Sequence, residues 1–331
     1  MLVAGAQTLG GNAAFNFLSF PAATQAAAAG GLNVSYRQGD VGFATQNPAL
    51  LKPSMHGQAA MHFSDLVAGV KGVQLSGALY KPKPDATIAG NIFFIHYGSV
   101  PQTDAAGNEM GNFNAYDYVV QVSGSKKYLQ QWQYGGTVKW IQSLYGPYSA
   151  SALAGDVGLL FTDSAKGWSA GFVAKNMGFQ VKAFEREKED LPFDLQVGVT
   201  KKLLQAPLSF SLTAHHQHRF SILYNDTTFN QQVNFTTSNT FLKKVFNHFV
   251  FATHIEVGKY LEATLGYNFL RRSELSVGTV GNGLTGSSAG LSARFQKMQF
   301  HYARSSYQKG IGNNQIGISI NVATISGAGL F

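Results

Sequence analysis

The 331-residue chain has no cysteine, which excludes disulfide frameworks and thiolate-bound metals. Charge is scarce too: Asp, Glu, Lys and Arg make up 13% of residues, against roughly 25% in ordinary soluble domains. A soluble chain of this size coats itself in charge, and this one does not. Nor does any apolar run approach the roughly 18 residues of a membrane helix. The nearest are Ile92-Phe93-Phe94-Ile95 and the Ala-rich stretch 22–31, so a helical membrane protein is excluded. The formal charge of +8 points to anionic partners, but Lys and Arg are scattered and no nucleic-acid motif is present. An anionic glycolipid surface fits that balance as well as nucleic acid does.

What fills the place of charge is Gly (37 residues) together with Ser, Thr, Asn and Gln, set in strict alternation with apolar residues. Ile316, Ile318, Ile320 and Val322 share one parity, and Gln315, Gly317, Ser319 and Asn321 share the other. This is the period of a strand with two unlike faces. The same pattern runs from Tyr260 to Phe269, from Phe193 and from Leu208. Reading such runs predicts about fourteen strands, near 58–69, 72–80, 87–97, 114–124, 131–145, 148–162, 168–175, 193–202, 207–218, 248–257, 260–271, 288–296, 298–305 and 314–323.

The connections then separate the architectures. Those after even-numbered strands are brief, such as Gly258-Lys259. Those after odd-numbered strands include 98–113, 176–192, 219–247, 272–287 and 306–313. Short turns at one end and long loops at the other describe an outer-membrane barrel, with apolar faces on lipid and small polar faces lining the interior. Closure pairs every strand edge, as hydrocarbon requires. A soluble β-sandwich or solenoid explains neither the charge depletion nor the alternating connections. Tyr80, Tyr97, Trp132, Trp140, Tyr145, Tyr148, Trp168 and Tyr302 are predicted to form interfacial girdles, and a terminal aromatic such as Phe331 suits a barrel of this kind.

The predicted fold is therefore all-β: a single transmembrane antiparallel β-barrel over 58–331, with 7–57 folded into the lumen as a plug. Residues 1–6 read as a signal-peptide remnant with Ala4-Gly5-Ala6 as its cleavage site. The long loops are expected outside the cell, and the N-terminus in the periplasm or the lumen. An Arg at Ile318 is expected to face lipid, and an Arg at Ser319 to be milder. Leu242, Val245 and Phe246 behind Ser238 predict a short helix in the third long loop.

Candidate chemistry is sparse. On a strand, His216 and His218 would share a face and His215 would oppose them, so the three cannot ligate one metal unless the strand breaks. Ser123 and Lys126 match an S-x-x-K nucleophile pattern without its companion motifs. His254, Glu256, Glu262 and Asn268 are expected to point into the lumen as a polar network. The inward parity offers Gln, Ser, Asn, Thr, Glu and Arg294, so a polar interior is expected, with no catalytic set and no metal or other cofactor. The densest charge is Glu185-Arg186-Glu187-Lys188-Glu189-Asp190. With Lys182, Arg272 and Glu274 it forms a candidate partner-binding surface on external loops.

The stretch AFNFLSFPAATQAAAAGGLNVSYRQGDVGFATQNPALL (14–51), with Asp40 and the Asn47-Pro48-Ala49 turn, resembles the barrel superfamily that includes long-chain fatty-acid transporters. GFVAKNMGF (171–179), LPFDLQVGVTKKLLQAPLSFSLTAH (191–215) and FNHFVFATHIEVGKYLEATLGYNFLRRSEL (246–275) narrow the match. Together they resemble the PorQ family of the Bacteroidetes type IX secretion system. That resemblance implies a non-enzymatic outer-membrane scaffold holding a PorZ-like surface protein. It implies sortase-like and sibling-barrel subunits of an attachment complex as further partners, where exported proteins are joined to anionic lipopolysaccharide. The alternative is a fatty-acid-transporter-like barrel passing a hydrophobic solute across the outer membrane.

Overall fold

A computed structural model of the chain describes residues 13–322 apart from 38, 105, 185–186, 223–240, 276–282 and 309. Residues 1–6, Ser238 and Phe331 thus lie outside the described residues. Fourteen strands close into one antiparallel barrel. They are β1 (Gln58–Asp65), β2 (Lys71–Lys81), β3 (Ala86–Thr103), β4 (Glu109–Tyr128), β5 (Trp132–Tyr145), β6 (Tyr148–Asp163) and β7 (Trp168–Lys182). The second half is β8 (Asp194–Lys202), β9 (Leu208–Ala214), β10 (Phe249–Val257), β11 (Leu261–Asn268), β12 (Ser287–Arg294), β13 (Met298–Gln308) and β14 (Ile311–Asn321). Each strand pairs with its sequence neighbours, and β1 pairs with β14 from Gln58↔Asn321 to Asp65↔Asn314. Among the described residues no helix is long and apolar enough to cross a membrane.

Alternation decides which face each residue takes. On β14, Asn313, Gln315 and Ser319 are buried, whereas Ile316 and Ile318 are exposed on the outer surface, as is Val322 just past its end. Met61, Leu75, Ile92, Val138, Leu159 and Leu265 continue that apolar exterior around the cylinder. Among the predicted girdle aromatics, Trp132, Trp140, Tyr148, Trp168 and Tyr302 are exposed. Tyr97 and Tyr145 turn inward instead, because both hydroxyls donate to Asp117 at 2.6 and 3.0 Å.

Ile318→Arg, at 40% exposure on the lipid face, is expected to cost about 2–4 kcal/mol if it lies near mid-bilayer. Folding into vesicles, read by heat-modifiable gel mobility, measures this. Unchanged insertion would contradict the face assignment. The milder outcome expected for Ser319→Arg does not follow from this packing: Ser319 is 1% exposed and its hydroxyl donates to Asp40, so an Arg has no space there.

Several element bounds differ from the alternation. The 98–113 connection is mostly a β3–β4 hairpin extension, with Thr103 opposite Glu109, and 306–313 is mostly the paired ends of β13 and β14, with Gln308 opposite Ile311. β7 runs to Lys182 rather than ending near 175, and β9 ends at Ala214. Strands β3 to β7 therefore make a tall wall at the long-loop end, and β8 to β12 a low one. Three short α-helices, α1 (Thr24–Ala28), α2 (Phe241–Asn247) and α3 (Phe269–Leu275), and five single-turn 3-10 helices complete the described elements. α2 agrees with the helix expected in the third loop. It packs on α3 through Phe246 and Phe269, with ring centroids 5.4 Å apart.

Candidate functional site

Residues 13–57, here the inner segment, lie against inward-facing side chains from most of the wall. The sequence makes room for its backbone with glycines. A Cβ on Gly135 would fall 2.6 Å from the carbonyl carbon of Pro48, one on Gly198 2.7 Å from Val34, and one on Gly290 2.5 Å from Ala28. Gly158, Gly171 and Gly266 are closer still to Asn47, Val34 and Gly30. Asn47 also caps the Pro48–Leu50 turn, accepting from Ala49 N at 3.0 Å, while its Nδ2 donates to Val34 O and Leu159 O.

Two polar clusters fix the segment. Asp40, fully buried, lies 3.4 Å from His62 Nε2 and 3.2 Å from His301 Nε2, and accepts from Ser319. Thr24 Oγ1 stands 3.0 Å from His62 Nδ1. In the second cluster Tyr36 stacks on His254 at 3.6 Å, and Glu262 contacts Arg294. Of the four residues predicted for this network, His254, Glu262 and Asn268 are buried. Glu256 sits at the short-turn mouth, paired with Lys202 at 2.8 Å. That mouth holds a cavity of about 450 Å³ bordered by Tyr36, Arg37, Lys52, Trp168 and Arg294. Burial, then Arg37 and Arg294, push Lys52 down to about 8.

The tall wall carries an apolar patch on its inner face, set among the buried polar side chains of Asp117, Gln121, Lys139 and Ser143. Phe93, Ile95, Val119, Ile141, Ala150, Ala152 and Ala154 on the tall wall form one apolar surface. The expectation of a polar lumen holds at most inward positions and fails at this patch. Ile92 to Ile95 are apolar at both parities, so alternation cannot reveal that one of the two faces is internal. Ala14, Phe15, Phe17 and Leu191 cover this surface, with Phe17 and Phe93 rings 6.4 Å apart. Phe15 is held at φ 60°, a left-handed conformation that bulky residues adopt only when packing enforces it.

Beside this surface the wall is interrupted. A bulge sets both Lys175 and Asn176 against Asp156, so both side chains turn inward, and Asn176 has φ 57°. Lys139 pairs with Asp156 at 2.7 Å inside the bulge. β7–β8 pairing stops at Lys175↔Asp194. Beyond it, β7 is faced by a loop strand instead of a sheet strand: Asn176 Nδ2 donates to Pro192 O, and Glu189 N donates to Gln180 Oε1. Ala14 N in turn donates to Asp190 O at 2.9 Å, which ties the inner segment to this closure.

The predicted charged surface is thus divided. Glu187, Lys188, Glu189 and Asp190 are exposed, Lys182 ends β7 beside Ser149, and Glu185 and Arg186 lie outside the described residues. Arg272 and Glu274 are on α3, where Arg272 donates to Gly283 O at 3.3 Å. Ser123 faces the lumen 2.8 Å from Thr137, while Lys126 has the opposite parity on β4, so that pair is not assembled.

The histidines depart most from expectation. The strand breaks after Ala214, and His216 takes φ 54°, which brings the His215 and His216 rings to 4.8 Å instead of opposite faces. Burial, then His216, push His215 down to about 3. With Asp194 they border a cavity of about 150 Å³ that also touches Leu18, Phe20 and Lys175.

No protein-family model and no curated protein sequence matches the chain. Solved structures do match it. A TodX monoaromatic hydrocarbon channel with an S2 deletion is 13% identical with TM-score 0.53, over 92% of this chain and 98% of that one. The S2S3-deleted TodX channel is 13% identical with TM-score 0.51, over 90% and 97%. A FadL homologue from Pseudomonas aeruginosa is 10% identical with TM-score 0.51, over 90% and 98%. At these identities the likeness is one of fold: a closed antiparallel β-barrel.

Proposed function

We propose that this barrel passes a hydrophobic solute across the outer membrane, with the long-loop end outside the cell. The observation that carries the reading is the apolar inner surface of the tall wall, occupied by Phe15 and Phe17. A passive scaffold has no need of an apolar chamber inside its wall, whereas a solute path does. Burying each phenylalanine contributes about 1.5–3 kcal/mol, a size that a solute of like area can replace. The adjacent β7–β8 interruption supplies a side exit closed only by a loop and the inner segment. The inner segment acts as the plug. The monoaromatic hydrocarbon channels that share the fold suggest the solute class.

The test is uptake of a radiolabelled monoaromatic hydrocarbon and a long-chain fatty acid by vesicles carrying the purified barrel. Phe15→Ala with Phe17→Ala should raise uptake severalfold by weakening the stopper. Vesicles no more permeable than empty ones, for wild type and variant alike, would overturn the proposal. The sequence resemblance and the exposed Glu187–Asp190 stretch support a second reading, the non-enzymatic scaffold of a type IX secretion attachment complex. In it these residues, with Lys182, Arg272 and Glu274, dock a PorZ-like protein. Recovery of a stoichiometric surface partner from native membrane, with no uptake, would favour it.

A further inference from the structure

We infer that Asp194, His215 and His216 form a binding site for a divalent transition-metal ion of the zinc class, independent of any solute path. Three elements converge on it: the start of β8 supplies Asp194, the end of β9 leads into His215, and the backbone break turns His216 toward both. The ligand atoms of the three lie within 4.8 Å of one another. The two Nδ1 atoms are 2.5 Å apart, and His216 Nδ1 is 3.9 Å from Asp194 Oδ1. Metal–nitrogen bonds of about 2.0–2.1 Å and metal–oxygen bonds of about 2.0–2.2 Å require that the imidazoles part by about an ångström and the carboxylate close on them by up to about one and a half.

The surroundings are those of a held ligand set. Asp194 Oδ1 accepts from His216 N at 2.6 Å and Oδ2 from Gln196 Nε2 at 2.6 Å, so the carboxylate is oriented before any ion arrives. Outer hydrogen bonds of this kind fix ligand direction in metal sites. His215 N donates to His248 O, and His248 Nδ1 lies 2.8 Å from His215 O, which fixes the backbone on the other side. His215 is 1% exposed and its Nε2 has no partner among the described residues. No hydrogen bond on that side therefore sets the ring's direction, which leaves its Nδ1 aimed at the cluster as the polar contact of the side chain. His216 is 35% exposed at the side chain, giving an ion a route from solvent, and the neighbouring cavity has room for water on the open coordination side. Two imidazoles and a carboxylate suit zinc, cobalt or nickel better than calcium or magnesium. An ion there would join β8 to β9 beside the place where β8 loses β7.

The full barrel, chelator-stripped in detergent, should bind one equivalent of zinc in competition with a metal buffer. Cobalt should give the visible absorption of nitrogen-containing coordination. His216→Ala and Asp194→Asn should each weaken zinc binding more than about tenfold, whereas His96→Ala, on a distant strand, should not. Folding of each variant is checked by heat-modifiable mobility, and the cobalt spectrum of the wild type decides the matter if a variant does not fold. The inference is overturned if no saturable equivalent binds, if the cobalt spectrum is that of the hydrated ion, or if both ligand variants bind as the wild type does.

Discussion

Replacing Asp40 with Ala is expected to loosen the inner segment while leaving the cylinder closed. The carboxylate is fully buried between His62 and His301 and also receives the Ser319 hydroxyl. Removing it leaves two imidazole nitrogens and a hydroxyl facing a hole. Leaving a buried polar group without its partner costs about 1–3 kcal/mol, and here the loss falls on contacts between segment and wall rather than on the backbone ladder between strands. The expected readouts are faster proteolysis within 13–57 in detergent and higher conductance in planar bilayers. Asp40→Asn keeps the shape and should fall between. Wild-type protease resistance in Asp40→Ala would show that the packing along the glycines holds the segment unaided.

Gly158→Val should act at least as strongly, and by a different route. Its side chain would enter the space of the Asn47 side chain and approach Pro48 Cδ, itself only 3.1 Å from a Cβ at this position. Overpacking alone costs about 1–3 kcal/mol. Displacing Asn47 also forfeits its bonds to Val34, Leu159 and Ala49, each worth about 1 kcal/mol. Gly90→Val is the matched control, because a Cβ on Gly90 meets nothing within 4 Å. Substitutions of that kind stay within about 0.5 kcal/mol. Midpoints of thermal unfolding, read by gel mobility, should separate the two by many degrees. Equal midpoints would refute the docking of the Asn47 turn against β6.

These contrasts show where the amino-acid sequence is legible. Alternation locates all fourteen strands, because one face meets hydrocarbon and the other a crowded interior. It fails where the backbone departs from period two. The bulge at Lys175 and Asn176 shifts the parity of β7, so that Met177, Phe179 and Val181 point outward and the strand seems to stop early. The turn at His216 ends β9 and assembles a cluster that a continuous strand would have scattered. The outer half of the β3–β4 hairpin is exposed on both faces, and such strands carry no alternation to read. The glycines that receive the inner segment look like any small inward residue until the segment's path is known.

Asp40 also bears on how the cylinder comes to be shut. Its carboxylate reaches His62 on the first strand, 22 residues away, and Ser319 on the last strand, 279 residues away. First and last strands must find each other across nearly the whole chain, a search whose entropic cost grows with the length enclosed. The carboxylate therefore straddles the seam from inside, touching both strands of the pairing that lies farthest apart in sequence.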